Sequence, residues 1–259
     1  MTEPSPILSQ HEDGVLLITL NRPQKLNAMT RADLLALHAI LDDAAADQQV
    51  RAVIMTGAGE RAFCAGMDVG EFENLTPDAA HALINDLKGV CDRLRRLPQA
   101  VIMAINGHCI GGALEVAMAA DLRVAADNAQ FAMPEINLGI PSVLDSIALQ
   151  QYVGLSLAKE MLLLGNAVTV DEINRLGFLN RVVPADQVLD VARRCAREMA
   201  QRPARTVAQQ KTLFETWQNL GFDAASADST NQFALAFTSD VPARQLAAYQ
   251  SERAARKQK

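Results

Sequence analysis

No stretch of this sequence is apolar for the roughly 18 residues that a membrane-spanning helix needs, so no membrane partner is expected. Basic charge is in short supply: 24 Lys and Arg face 30 Asp and Glu, a net charge of −6. That balance argues against nucleic acid, or an anionic membrane surface, as the main partner. The one basic cluster is the tail Arg253-Ala-Ala-Arg256-Lys257-Gln-Lys259, which reads as a solvated end. Cysteine is also scarce. The four thiols, Cys64, Cys91, Cys109 and Cys195, form no CxxC pair and no metal-ligand spacing. No metal is expected, and reduced thiols point to a cytoplasmic setting. The start, Met1-Thr-Glu-Pro-Ser-Pro6, has neither a basic n-region nor an apolar h-region, so no secretory signal is expected. Internal repeats and low-complexity segments are absent too.

What is there is ordinary globular material. Hydrophobic residues make up 49% of 259 positions and charged residues 21%, which suits one large domain or a domain with a helical appendage. Residues 7–12 and 14–20 read as two strands around Asp13-Gly14, a hairpin signal. The loop Asn21-Arg-Pro-Gln-Lys-Leu-Asn27-Ala-Met29 leads to Thr30, which caps a helix predicted to run to about Asp47. Residues 50–56 form a nearly continuous apolar strand, as in a sheet covered on both sides. Gly57-Ala-Gly59-Glu-Arg-Ala62 then matches the dinucleotide fingerprint G-x-G-x-x-G/A. It is a lookalike. A nucleotide-binding turn leads straight into a helix, and here an apolar loop, Ala62-Phe-Cys-Ala-Gly-Met-Asp68, comes next.

Helical periodicity resumes over residues 77–97, and residues 122–125 and 130–133 read as short strands leading into Pro134-Glu135. From Pro141 onward the pattern is almost wholly helical, over 143–152, 155–164, 170–176, 185–201, 203–220, 223–237 and 242–255. Alternating strands and helices, and then a helical third, predict an α/β core over 1–195 and a helical subdomain over 196–259.

The chemistry is concentrated in Ile105-Asn-Gly-His-Cys-Ile-Gly-Gly-Ala-Leu-Glu115. The apolar run Ala100-Val-Ile-Met-Ala104 before it reads as a buried strand, and Ala113-Leu-Glu-Val-Ala-Met-Ala-Ala120 after it as a buried helix. A strand, a Gly-rich turn and a helix present backbone N–H groups that have no partner within the helix and carry its positive end. Gly112 leaves that approach open, and Glu115 lies on the same face one turn later. An anion hole beside a carboxylate is what proton chemistry next to a carbonyl requires.

Four motifs fall in one order along the chain. They are Asn21-Arg-Pro…Leu-Asn27-Ala, Ala62-Phe-Cys-Ala-Gly-Met-Asp68, Asn106-Gly…Gly111-Gly-Ala-Leu-Glu115…Ala120-Asp121, and Pro134-Glu135-Ile-Asn-Leu-Gly139. Together they resemble the crotonase (enoyl-CoA hydratase/isomerase) superfamily over nearly the whole chain. The resemblance implies a ClpP/crotonase-like α/β spiral of ββα turns, a C-terminal helical trimerisation region, and a homotrimer or a dimer of trimers. It also implies an acyl-CoA thioester whose carbonyl oxygen sits between two backbone N–H groups, with coenzyme A entering as part of the substrate and no separate cofactor. Carried over, those donors are Met67, which comes after Ala65-Gly66, and Gly112, which comes after Gly111. The loop through Asp68 and Val69 would hold the coenzyme A with its backbone, Lys25 would meet its phosphates, and the Met67 side chain would line the acyl pocket. Glu115 and Glu135 match the family's paired glutamates, Glu115 to activate water and Glu135 to deliver the α-proton. Two carboxyls that close titrate as a pair.

One stretch departs from the family. After Gly139 its hydratases usually run Pro-Gly-Ala-Gly-Gly-Thr-Gln, whereas here the chain reads Pro141-Ser-Val-Leu-Asp-Ser-Ile147. Ser142 stands where a glycine helps seat the water, and Asp145 replaces another glycine. Ser142-x-x-Asp145 also reads as a helix capping box. The other reading puts Asp145 in the acyl pocket, facing a polar acyl chain. The activity implied is hydration of the 2,3 double bond of a 2-enoyl-CoA. Rival reactions are Δ3/Δ2-enoyl-CoA isomerisation, thioester hydrolysis and C–C cleavage. A non-catalytic, RNA-binding relative is the reading from another class, and the acidic balance and both glutamates speak against it.

Overall fold

The computed structural model describes residues 5–257, so the readings on residues 1–4 and on Gln258 and Lys259 lie outside it. The chain divides after Gln201 into two compact units. The boundary expected at residue 195 falls inside a continuous helix, Val188–Ala200, whose hydrogen-bonded turns cannot be parted in the middle.

The first unit opens with β1 (Ile7–Glu12), β2 (Val15–Leu20), α1 (Arg31–Ala46), β3 (Ala52–Gly57), β4 (Ala62–Cys64) and α2 (Pro77–Arg96). It continues with β5 (Ala100–Ile105), β6 (His108–Ile110), α3 (Gly112–Met118), β7 (Leu122–Ala126) and β8 (Gln130–Ala132). It ends with α4 (Ser146–Leu164), β9 (Val168–Thr169), α5 (Val170–Asn174), β10 (Arg181–Val183) and α6 (Val188–Ala200). Among the described residues the strands form a six-stranded sheet, ordered β1-β2-β3-β5-β7-β10, and a four-stranded sheet, ordered β4-β6-β8-β9. Only β1–β2 and β8–β9 pair antiparallel; the other neighbours run parallel. Each turn of chain gives its first strand to the large sheet and its second to the small one: β3 then β4, β5 then β6, β7 then β8. This is the α/β spiral that the resemblance implies.

Sequence explains the framework. β3 and β5 are buried at every position, which is why both read as unbroken apolar runs. α1 starts at a capping box in which Thr30 accepts from the Asp33 N–H and Asp33 accepts from the Thr30 N–H. α2 starts at Thr76 with Pro77 at its first position, carries Arg93, Arg95 and Arg96 in its last turn, and buries Leu83, Leu87, Val90, Cys91 and Leu94. α4 begins at Ser146, three residues after the expected start at 143, and breaks at Gly154 (φ 75°, ψ 158°), between the two expected segments.

β4, β6, β9 and β10 are strands where the sequence reads as loop or helix, because two or three residues show no period. The lookalike Gly57-Ala-Gly59 closes β3, and the chain leads from it into β4 rather than into a helix. Asn106 holds that turn, donating to the carbonyls of Gly57 and Gly59 at 2.9 and 2.7 Å.

The second unit consists of α7 (Ala204–Asn219), α8 (Phe222–Ala236) and α9 (Val241–Lys257). α7 and α8 pack on each other, with the Trp217 indole N–H donating to Ser229 Oγ at 2.8 Å. Much of its apolar surface stays uncovered: Phe222, Phe233 and Phe237 are 86%, 70% and 62% exposed. No helix among the described residues is long and apolar enough to cross a membrane.

Candidate active site

Backbone hydrogen bonds lace together two motifs about forty positions apart in sequence. Ala65 N–H donates to Leu26 O at 2.9 Å, Met29 N–H to Gly66 O at 2.8 Å, and Asp68 N–H to Met29 O at 2.8 Å. Asn27 anchors the first loop from inside, donating to the carbonyls of Ala58 and Ala62, both at 2.9 Å. The bonds on either side of Met67 form a parallel bridge to Met29, so the Met67 N–H itself faces away from that partner. Its side chain packs half-buried against the core.

Gly66 brings this loop against the next one. It sits at φ +88°, and a Cβ there would lie 2.8 Å from Ile110 O and 3.3 Å from the Gly112 nitrogen. The Gly112 N–H is the first of α3 and has no partner inside the helix. Among the described residues, neither the Met67 N–H nor the Gly112 N–H has a protein acceptor. Two free donors from adjoining loops are what a developing oxyanion needs.

The two glutamates stand over the two consecutive glycines. A Cβ on Gly111 (φ +58°) would fall 2.6 Å from Glu135 Oε1, and one on Gly112 would fall 3.9 Å from Glu115 Oε2 and 3.0 Å from Leu87 Cδ2. Glu115, on α3, is 3% exposed; Glu135 lies half-buried in the 3₁₀ turn Pro134–Leu138. A serine hydroxyl donates to each: Ser146 to Glu115 Oε1 at 2.8 Å and Ser142 to Glu135 Oε2 at 2.9 Å. Burial pushes Glu115 up to about 8; the Ser146 hydroxyl opposes this, while the charges of Glu135 and Asp145 add to it. Two carboxyls set over the same pair of glycines can take a proton from one atom and give one to another.

Glu115, Glu135, Met67, Gly112, Gly111, Ala65, Gly66 and Ser142 therefore fall in one place. Lys25, Asp68 and Val69 lie at its edge. Lys25 Nζ is 2.8 Å from Asp68 Oδ2, and that bond, with a second from the Gly70 N–H, holds the Asp68 carboxyl below the usual carboxylate range. Val69 is 63% exposed.

The capping-box reading of Ser142 and Asp145 is overturned. Asp145 is the residue before α4 but its carboxylate makes no capping bond; it is ion-paired with Arg95 of α2, and Ser142 is turned to Glu135. A buried carboxylate beside a guanidinium gains more from the charge than from an exposed N–H. Three participants were missed in the sequence: Ser146, Arg95 and Leu87. Ser146 had a visible signal, since it is a second hydroxyl, four residues after Ser142, in the stretch that departs from the family. Arg95 comes directly after the buried Leu94 on α2 and gave none.

Comparison with known proteins places the chain in a family. The sequence profile described as enoyl-CoA hydratase/isomerase matches residues 10–254. The short-chain-enoyl-CoA hydratase of Clostridium acetobutylicum is 31% identical, with 90% of each chain covered. The 2,3-dehydroadipyl-CoA hydratase of Escherichia coli is 33% identical over 89% of this chain and 90% of its own. The crystal structure of an enoyl-CoA hydratase from Mycobacterium smegmatis superposes with a TM-score of 0.91 at 31% identity, covering 96% of this chain and 97% of that one. With its spiral of ββα turns and a profile match over nearly all its length, the chain belongs to the enoyl-CoA hydratase/isomerase family, the crotonase superfamily.

Proposed function

We propose that this protein is an enoyl-CoA hydratase, which adds water across the 2,3 double bond of a 2-enoyl-CoA thioester. One observation carries the reading: Glu115 and Glu135 stand together over Gly111-Gly112, beside the free N–H groups of Met67 and Gly112. The thioester oxygen accepts from those two N–H groups, which draws electron density from C3. Ionised Glu115 takes a proton from water as the water oxygen bonds to C3, and the double-bond electrons move onto the thioester oxygen as an enolate. Glu135 then delivers its proton to C2, and a proton passing from Glu115 to Glu135 resets the pair. No electron is exchanged with a redox group, and coenzyme A arrives as part of the substrate. Removing one such N–H donor typically costs about 3 kcal/mol of barrier.

Isomerisation needs a single shuttling carboxylate, and thioester hydrolysis leaves C2 without a new proton. A buried Glu115 held by its own serine favours hydration. The names of the relatives, hydratases of short-chain-enoyl-CoA and 2,3-dehydroadipyl-CoA, support a 2-enoyl-CoA as the substrate class. The test is a panel of acyl-CoAs incubated in heavy-oxygen water and read by mass spectrometry. Hydration adds one labelled water to 2-enoyl-CoAs; a product of unchanged mass, or free coenzyme A, overturns the reading.

We also propose a trimer or a dimer of trimers in the cytoplasm. The exposed Phe222, Phe233 and Phe237 of the second unit form more apolar surface than a monomer ordinarily leaves in water. Buried Cys64, Cys91 and Cys109 remain free thiols, in keeping with a reducing compartment.

A further inference from the structure

Residues 140–145 cross from the 3₁₀ turn bearing Glu135 to α4 without joining a sheet or a helix, and Leu144 sits at φ +49°. Side chains tie this crossing and the first residue of α4 to their surroundings at three points: Ser142 to Glu135, Ser146 to Glu115, and Asp145 to Arg95. The third is the only one that is ionic. Asp145 is 7% exposed, Arg95 also bonds Asp92 at 2.7 Å, and Asp92 pairs in turn with Lys88, so alternating charges run along α2 and end at the buried Asp145.

Asp145 is the residue before Ser146, which holds Glu115, and its charge acts on Glu115. The groups that face Glu115 can be named element by element. From the 3₁₀ turn comes Glu135, from the crossing Asp145, from α4 the Ser146 hydroxyl, and from α2 Cys91, which also faces Asp145, with Arg95 behind it. Burial keeps the Cys91 thiol protonated, so Arg95 is the one cation in this set.

We propose that Arg95 and Asp145 are a positioning pair for Glu115: their ion pair fixes the 140–145 crossing on α2 and sets the net charge that the Glu115 carboxyl faces. The inference rests on the reading of Glu115 as the base that activates water. A paired Asp145 leaves Glu115 one partly neutralised negative neighbour, whereas a neutral residue there removes that charge from beside Glu115 and leaves Arg95 bonded to Asp92.

The test compares the wild type, Asp145→Asn and Arg95→Met/Asp145→Asn. The acid limb of kcat/KM for crotonyl-CoA is measured alongside the infrared titration of the carboxyl band that is lost in Glu115→Gln. Asp145→Asn keeps the shape and removes the negative charge, so Glu115 ionises more easily and both curves move to lower pH by about one pH unit, tenfold in rate on the limb. The double variant, which removes both charges, brings them most of the way back. No movement in Asp145→Asn, or no return in the double variant, overturns the proposal. Because Asp145→Asn is isosteric, it decides the question alone if the double variant does not fold. If the carboxyl titration moves as described and the activity limb does not, the pair stands and the role of Glu115 as base fails.

Discussion

Ser146→Ala removes the hydroxyl that donates to Glu115 Oε1 at 2.8 Å and leaves Glu115, Glu135 and both free N–H groups in place. Burial already pushes Glu115 up to about 8, and the Ser146 hydroxyl is the first force opposing it. A donor to the carboxylate stabilises the ionised form, so its loss makes ionisation harder and moves the acid limb of activity to higher pH. Hydrogen bonds to charged groups are worth about 1.5–3 kcal/mol, and each pH unit corresponds to 1.36 kcal/mol, so the limb should rise by about one to two pH units. At pH 7 the ionised fraction falls from roughly one-tenth to between about one-hundredth and one-thousandth, a loss of about ten- to a hundredfold in kcat/KM. The assay is the loss of enone absorbance of crotonyl-CoA from neutral to alkaline pH, with Tm measured beside it. The variant should regain most of its activity at alkaline pH. An equal loss at every pH, with the limb unmoved, refutes the claim that Ser146 sets the ionisation of Glu115.

Gly111→Ala should place a Cβ 2.6 Å from Glu135 Oε1 at φ +58°, displacing that carboxyl; kcat should fall about a hundredfold while thermal unfolding shows a loss of about 1–3 kcal/mol. Lys25→Met should raise KM several-fold for CoA thioesters, leave kcat unchanged and leave KM for acyl-pantetheine substrates unchanged. Its ion pair with Asp68 is largely exposed, so stability should shift by no more than about 1 kcal/mol, as chemical denaturation can check. Light scattering at micromolar concentration should give a trimer or a hexamer; a monomer would contradict the assembly proposed from the exposed phenylalanines of the second unit.

Much of the framework is legible in the sequence because it rests on local rules. Thr30 caps α1 as its position predicts, β3 and β5 read as buried runs, and Gly154 breaks α4 between two periodic segments. The Gly57-Ala-Gly59 lookalike is recognised by its downstream neighbour, since β4 stands where a nucleotide site needs a helix. Two- and three-residue strands such as β6 and β10 escape because they carry no period of their own and exist only by pairing with neighbours. The free N–H of Gly112 is readable from a Gly-Gly turn ahead of a helix, and that of Met67 only from the family's pattern. Side-chain partnerships across elements are the least legible. Ser142-x-x-Asp145 satisfies the local rule for a cap, yet Arg95, 50 positions earlier, claims the aspartate. A spacing rule contains no information about a cation on another helix.

The most direct test of the two-carboxylate account is the hydration kinetics of Glu115→Gln, Glu135→Gln and the double variant. Both residues act on one water and one enolate, so each single substitution should lower kcat on the order of 10²–10⁴-fold. The double variant should be little worse than either, because the pair works as a unit. Affinity for the CoA thioester should hold, since the Met67 and Gly112 backbone groups are untouched. Hydration that survives Glu115→Gln nearly intact, with only Glu135→Gln inactive, would show a single shuttling carboxylate and contradict the account.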